Sequence, residues 1–234
     1  MSAADTVRTT LRGAGQTLIT LGVVVLLFCV YELQVTNLVT ARAQDRLGDE
    51  LAQSWASEPE PVRAPVRPGA VARPVSAPLP GNAFARLHVP ALPGYGARNL
   101  VEGVGVADLK KAPGHIPGTA LPGQRGNVVL SGHRTTYGAP FNRWDELDPG
   151  EQVVLETRDT WHTYTITGSK IVSPNAIEVT YPVPGDRTAK PTRRLLTMTT
   201  CNPEYSARER LIVSAELSAT TAKADGLPAA LRRR

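Results

Sequence analysis

Between Arg12 and Glu32 the chain carries no charged residue. An apolar run of about 20 residues is what a helix needs to cross a bilayer, and such a helix fixes what can stand on either side of it. Arg8 and Arg12 precede the run, so the positive-inside tendency puts the N-terminus in the cytoplasm and the rest of the chain outside. A cleaved signal peptide is the competing reading. Residues 41–43, "ARA", have the small-x-small pattern but lie too far beyond the apolar stretch for ordinary processing. The expected division is a cytoplasmic N-terminus at 1–12 and a transmembrane anchor at 13–33 in the cell membrane, with an extracytoplasmic remainder.

Two segments follow the anchor. Within 34–57, Leu47, Leu51 and Trp55 recur every fourth position, one face of a helix, which reads as a short amphipathic stalk at the membrane surface. Within 58–81, "EPEPVRAPVRPGAVARPVSAPLP" is too rich in proline for helix or sheet ladders and favours an extended, solvated spacer. A folded domain is expected over 82–218, held off the membrane by that tether, with a solvated tail at 219–234.

From residue 82 onward the apolar patterns are short and β-like. "ARLHVPAL", "NVVLSG", "EQVVLETR", "WHTYTITGSKIV", "AIEVTYPV", "RRLLTMTT" and "RLIVSAEL" are strand candidates separated by Gly, Pro, Asn or Asp, and "FNRWDELDPGE" offers at most one short helix. Six or more strands in so short a span argue for a closed or nearly closed β-barrel.

The formal charge of +5 comes from scattered basic residues with no run interleaved with aromatics, so a nucleic-acid partner is not expected. Of the two cysteines, Cys29 lies inside the apolar run and Cys201 lies far downstream, which leaves nothing from which to build a disulfide framework. Four histidines without paired metal-ligand spacings give no zinc cluster, and no cofactor is expected.

Two strand ends carry chemistry. "NVVLSG" delivers His133 and "RRLLTMTT" delivers Cys201; if "RRLLTMTT" and "RLIVSAEL" pair as an antiparallel hairpin, Cys201 and Arg210 share a rim. Leu211, Val213 and Leu217 form the core face of the last strand, so Arg210 projects from the other. An imidazole can take a thiol's proton and later protonate a leaving amine, and a guanidinium can stabilise an oxyanion. These three residue types suffice for acyl transfer through a thioester. By themselves they do not separate a nucleophile from a buried, inert thiol, and Arg208 is the substitute for Arg210 should the register differ.

The residues also carry a resemblance. "TMTTC" is one residue from the TLxTC signature of sortases, with Met198 in the leucine place; "GHR" at 132–134 looks like that family's histidine motif; and "CNPEYSARERLIV" puts an arginine nine positions after the cysteine. The longer runs "GHIPGTALPGQRGNVVLSGHRTTYGAPF" and "TRRLLTMTTCNPEYSARERLIVSAEL" are similar to class E sortases of actinobacteria. The resemblance implies an all-β, eight-stranded sortase-type barrel with one or two short helices, preceded by the transmembrane helix and helical stalk. It implies a cysteine transpeptidase that cleaves an LAxTG- or LPxTG-type sorting signal between Thr and Gly. Cys201 would be the nucleophile, His133 the general acid and base, and Arg210 the holder of the substrate backbone or oxyanion. Thr200, Tyr137 and His115 are the expected substrate-binding residues. The implied partners are surface proteins bearing a C-terminal sorting signal and a peptidoglycan-precursor amine.

Two other readings stand beside it. One is a tethered cysteine peptidase or L,D-transpeptidase, although papain-like enzymes place cysteine before histidine and L,D-transpeptidases place histidine and glycine directly before the cysteine. The other is a non-catalytic wall-binding β-domain.

Overall fold

A computed structural model describes residues 3–31, 35–57 and 78–232. All but the last four residues of the expected linker lie outside them. Within helix α1 (Ala3–Val30), the span Asp5–Val30 is long and apolar enough to cross a membrane, and its apolar window is not buried against the rest of the fold.

Eight strands follow: β1 (Ala83–His88), β2 (Arg98–Glu102), β3 (Gly114–His115), β4 (Gly126–Ser131), β5 (Gln152–Glu156), β6 (Thr160–Val172), β7 (Arg194–Asn202) and β8 (Glu209–Ala222). They close into a barrel in the order β1-β2-β3-β4-β7-β8-β6-β5, parallel at β2–β3 and β4–β7 and antiparallel elsewhere. Closure matters because an open sheet would leave a row of unpaired backbone groups. Leu87, Leu100, Leu130, Leu155, Leu196 and Met198 fill the interior with no appreciable exposure. Burying each contributes about 1.5–3 kcal/mol. Met198 thus occupies its signature position as a core residue.

Three readings need correction. "AIEVTYPV" forms no strand: Ile177–Thr180 is a 3₁₀ turn, where Asn127 Nδ2 donates to the carbonyls of Val179 and Tyr181. The expected tail belongs to the fold as far as Arg232. Strand β8 continues to Ala222 and pairs with β6, and Ala230 of the short C-terminal helix Ala229–Arg232 is buried beside Val154 and Trp161.

The third correction concerns the stalk. Helix α2 (Thr36–Ser57) does turn Leu47 and Leu51 to one face, yet that face packs on the barrel rather than on a membrane surface. Strand β3 is only two residues long, so part of the β2 edge has no strand beside it. The Gln44 amide takes the place of one: its Oε1 accepts from the Asn99 backbone N–H at 2.8 Å, and its Nε2 donates to the carbonyls of Asn99 and Lys111. Trp55 lies under the Lys223 ammonium, 4.0 Å from the ring centre. The spacer therefore does not separate α2 from the barrel.

A candidate active site at the ends of β4 and β7

Strands β4 and β7 run parallel with Ser131 opposite Thr199, so two residues further along each strand the chain reaches His133 and Cys201. Across the next interface Cys201 is the register partner of Arg210. Side chains alternate along a strand: Leu196 and Met198 point into the barrel core with Thr200 on the same side, so Cys201, of the opposite parity and partly exposed, stands on the outer face. Arg210 does the same, opposite the core residues Leu211 and Val213. The structure brings His133, Cys201 and Arg210 to one rim, with all three partly exposed. Arg208 falls in the turn before β8, outside this register.

The Arg210 guanidinium is tethered by Nη1, which donates to the carbonyls of Ala207 and Glu209, both at 2.9 Å. His133 is half-buried, and loss of hydration lowers its pKa below the usual imidazole value. At neutral pH it is a neutral ring that can accept a proton. Among the described residues no group of three or more His, Cys, Asp or Glu side chains is arranged to hold a metal.

The other sequence candidates divide. Tyr137 stands at the site: its ring centre is 5.0 Å from that of His133, with Lys110 Nζ 5.7 Å from the same tyrosine ring. Its backbone is left-handed, as are those of Gly138 and Ala139, at φ of 51°, 75° and 42°. A non-glycine residue there costs of order 1–3 kcal/mol, which the surrounding contacts must offset.

Thr200 and His115 do not reach the groove. Thr200 is 2% exposed and its hydroxyl donates to the Gly132 carbonyl at 2.8 Å, so it ties β7 to the turn that carries His133. His115 is 1% exposed, with Nδ1 2.6 Å from a Glu102 carboxylate oxygen and Nε2 engaged with Thr119 and the Ala120 carbonyl. Both residues have their polar atoms committed inside the fold, and the substrate-binding expectation for them is withdrawn.

Arg134 is the residue the sequence reading passed over. It is 5% exposed; Nη1 donates to Asn202 Oδ1 at 2.7 Å and lies 3.5 Å from the Cys201 carbonyl oxygen, while Nη2 pairs with Asp145 at 2.9 Å. One guanidinium thus braces the strand end that bears the cysteine from the loop that bears the histidine. The only signal for it was its place in "GHR". Gly132 before it is required by packing, since a Cβ there would lie 2.9 Å from the Phe141 ring. That ring stacks on Trp144 at 4.3 Å, and the Phe141 N–H donates to the His133 carbonyl, closing the loop.

The sortase domain model matches residues 87–218. The chain belongs to the sortase family. It is 33% identical over 229 residues to Sortase SrtE1 of Streptomyces coelicolor, a match that takes in 94% of this chain and 60% of that protein's length. It is 41% identical to the structure of sortase E from Streptomyces avermitilis, with a TM-score of 0.60 over 66% of this chain and 99% of the other. The structure of Sortase E1 from Streptomyces coelicolor with a tripeptide in the active site is 34% identical, with the same TM-score and coverage. These similarities support class E among the sortases.

Proposed function

We propose that the protein is a membrane-anchored cysteine transpeptidase acting on a sorting signal of the LAxTG or LPxTG type. The observation that carries this reading is the pairing of Cys201 with Arg210 at the rim where the turn after β4 carries His133. In the first step Cys201 Sγ attacks the Thr carbonyl carbon, its proton passing to neutral His133, and the oxyanion draws on the Arg210 guanidinium. The tetrahedral adduct collapses with cleavage of the Thr–Gly C–N bond; His133 returns the proton to the departing amine, leaving a thioester. In the second step an amine, of a peptidoglycan precursor, attacks the thioester, an amide forms and the thiol is released. Tyr137 flanks the imidazole and limits access to it. A class E relative that holds a tripeptide in its active site supports a peptide substrate here. Helix α1 supplies the anchor, with its N-terminus inside and the barrel outside by the charge asymmetry at Arg8 and Arg12.

The test is product mass. The protein is incubated with LAxTG and LPxTG peptides, with and without an amine, beside Cys201→Ala. Cleavage at Thr–Gly with an amine-joined product, lost in the variant, is the expected result. A hydrolytic product whether or not amine is supplied would make the protein a peptidase, and activity that survives in Cys201→Ala would remove the cysteine from the mechanism.

A further inference from the structure

Among the described residues the His133 ring is held by packing. Its centre lies 5.0 Å from that of Tyr137, burial alone lowers its pKa, and no hydrogen bond reaches its nitrogens. An imidazole that takes a proton from Cys201 and returns it to a leaving amine needs a fixed orientation, since a small misplacement of a reacting group is costly. The backbone around it is fixed: the Thr200 hydroxyl donates to the Gly132 carbonyl, and the Phe141 N–H donates to the carbonyl of His133 itself. Neither contact restrains the ring. Tyr137 does, so the orientation of the imidazole is only as firm as the loop that carries Tyr137.

That loop is braced from outside. Tyr137, Gly138 and Ala139 are all left-handed, at φ of 51°, 75° and 42°, and the two non-glycine residues keep that backbone against their local preference. Inside the loop the Ala139 N–H donates to the Thr136 carbonyl at 2.9 Å. Further support comes from α2. Asn37 Oδ1 accepts from the Gly138 N–H at 2.8 Å, across 101 residues of sequence. One turn on, the hydroxyl of buried Thr40 lies 2.9 Å from the Lys110 carbonyl oxygen, and the Lys110 ammonium lies 5.7 Å from the centre of the Tyr137 ring. The Thr40 methyl also approaches Gly138 closely: a Cβ there would stand 3.3 Å from it. Two contacts of α2 therefore bracket Tyr137, one on the amide that follows it and one on the residue beside its ring. Asn37 itself is exposed and lies seven residues past Val30, the last residue of α1. The helix that braces the loop is thus the one that follows the apolar span.

We propose that Asn37 is a positioning residue for His133: by holding the Gly138 N–H it keeps Tyr137 against the imidazole, which makes the first turns of α2 part of the active-site structure. Asn37 touches neither substrate nor the reacting atoms and acts through Tyr137. An alanine in its place suits a helix, so α2 persists, and the freed Gly138 N–H turns to water; the loop loosens without a large loss of stability. The consequence for chemistry rests on the transpeptidase reading, whereas the hold on the two rings does not.

The test uses the full chain in maltoside micelles with isotope-labelled histidine, read by NMR. The Tyr137 ring current shifts the His133 ring signals, and Tyr137→Leu gives their position without it. The signals of Asn37→Ala are expected to move towards those of Tyr137→Leu. Those of Asn37→Asp, which keeps an oxygen acceptor, are expected to stay at the wild-type position. Thioester formation at saturating sorting peptide, per titrated thiol, should fall about tenfold in Asn37→Ala, with KM little changed, and recover in Asn37→Asp. A general loss of stability would lower the number of reactive thiols and leave the rate per thiol alone. Asn37→Ala added to Tyr137→Leu should cost nothing further, since both remove the same contact. Wild-type His133 signals in Asn37→Ala, an unchanged rate per thiol, or additive losses in the double variant would overturn the proposal. A wild type that forms no thioester with any sorting peptide would count against the transpeptidase reading; the ring signals then still decide whether Asn37 holds Tyr137 on His133.

Discussion

Arg134, the residue after His133, donates from Nη1 to the side-chain oxygen of Asn202, the residue after Cys201, at 2.7 Å. The two elements that meet at the rim are therefore joined one step behind their reactive side chains. Arg134→Gln removes the charge and leaves Asp145 unpaired. Because small displacements at a reacting pair are costly, thioester formation in a single turnover should fall by about 10–100-fold with the fold retained. Asp145 is 56% exposed, so Asp145→Asn should cost only a few-fold. If Arg134→Gln reacts at the wild-type rate, the brace has no part in positioning.

Register separates the two arginines of the β7–β8 turn. Arg210 faces Cys201 across the hairpin, whereas Arg208 precedes β8 and is exposed. Arg210→Ala should lower the rate of thioester formation by roughly 10²–10³, as loss of an oxyanion donor does, with Arg210→Lys recovering part of it. Arg208→Ala should leave the rate close to wild type. The reverse ranking by stopped-time mass analysis would reject this assignment.

Acid should weaken the barrel at a residue far from the site. His162 is buried, and lost hydration together with the nearby Arg194 charge pushes its pKa down to about 4. The unfolded chain takes up that proton nearer 6.5, so it binds more protons than the native state through this window. The contribution to stability is thus complete above 6.5 and is lost as pH falls toward 4, about 3 kcal/mol in all. Denaturant titrations of wild type and His162→Gln at intervals across that range should converge as pH falls. Parallel curves would place the acid sensitivity elsewhere.

The docking of α2 can be tested through one amide. Gln44→Ala leaves the Asn99 N–H without its acceptor and should destabilise the protein by about 1–3 kcal/mol, visible as a lower Tm. It should also speed proteolysis within α2 before the barrel is cut. An α2 that is cut no faster than in the wild type would mean that Leu47 and Leu51 hold the helix without help from Gln44.

The sequence already contained the apolar helix, most of the strands, and the pairing of Cys201 with Arg210. Each follows from local periodicity: an uncharged run of bilayer length, alternation along strands, and a turn between two of them that fixes hairpin register. Strand β3 was hidden because two residues carry no pattern, and β2 because "RNLVE" offers only two adjacent apolar residues and no alternation. "AIEVTYPV" misled because its β-branched residues are held as a turn by a distant amide, that of Asn127. The amphipathic face of α2 was visible, but a stripe of Leu47 and Leu51 does not say whether a membrane or a β-sheet covers it.

Residue chemistry was legible in the same partial way. The sequence named His133, Cys201 and Arg210, since motif order and strand ends are local facts. It could not place Thr200 or His115, whose burial depends on which side of a closed barrel each faces and on partners such as Gly132 and Glu102 from other strands. Nor could it find Arg134, whose role exists only because β4 and β7, far apart in the chain, run parallel and end together. Local patterning chose the elements and their reactive side chains. Barrel closure decided which of those side chains face a common groove and which are consumed in holding it.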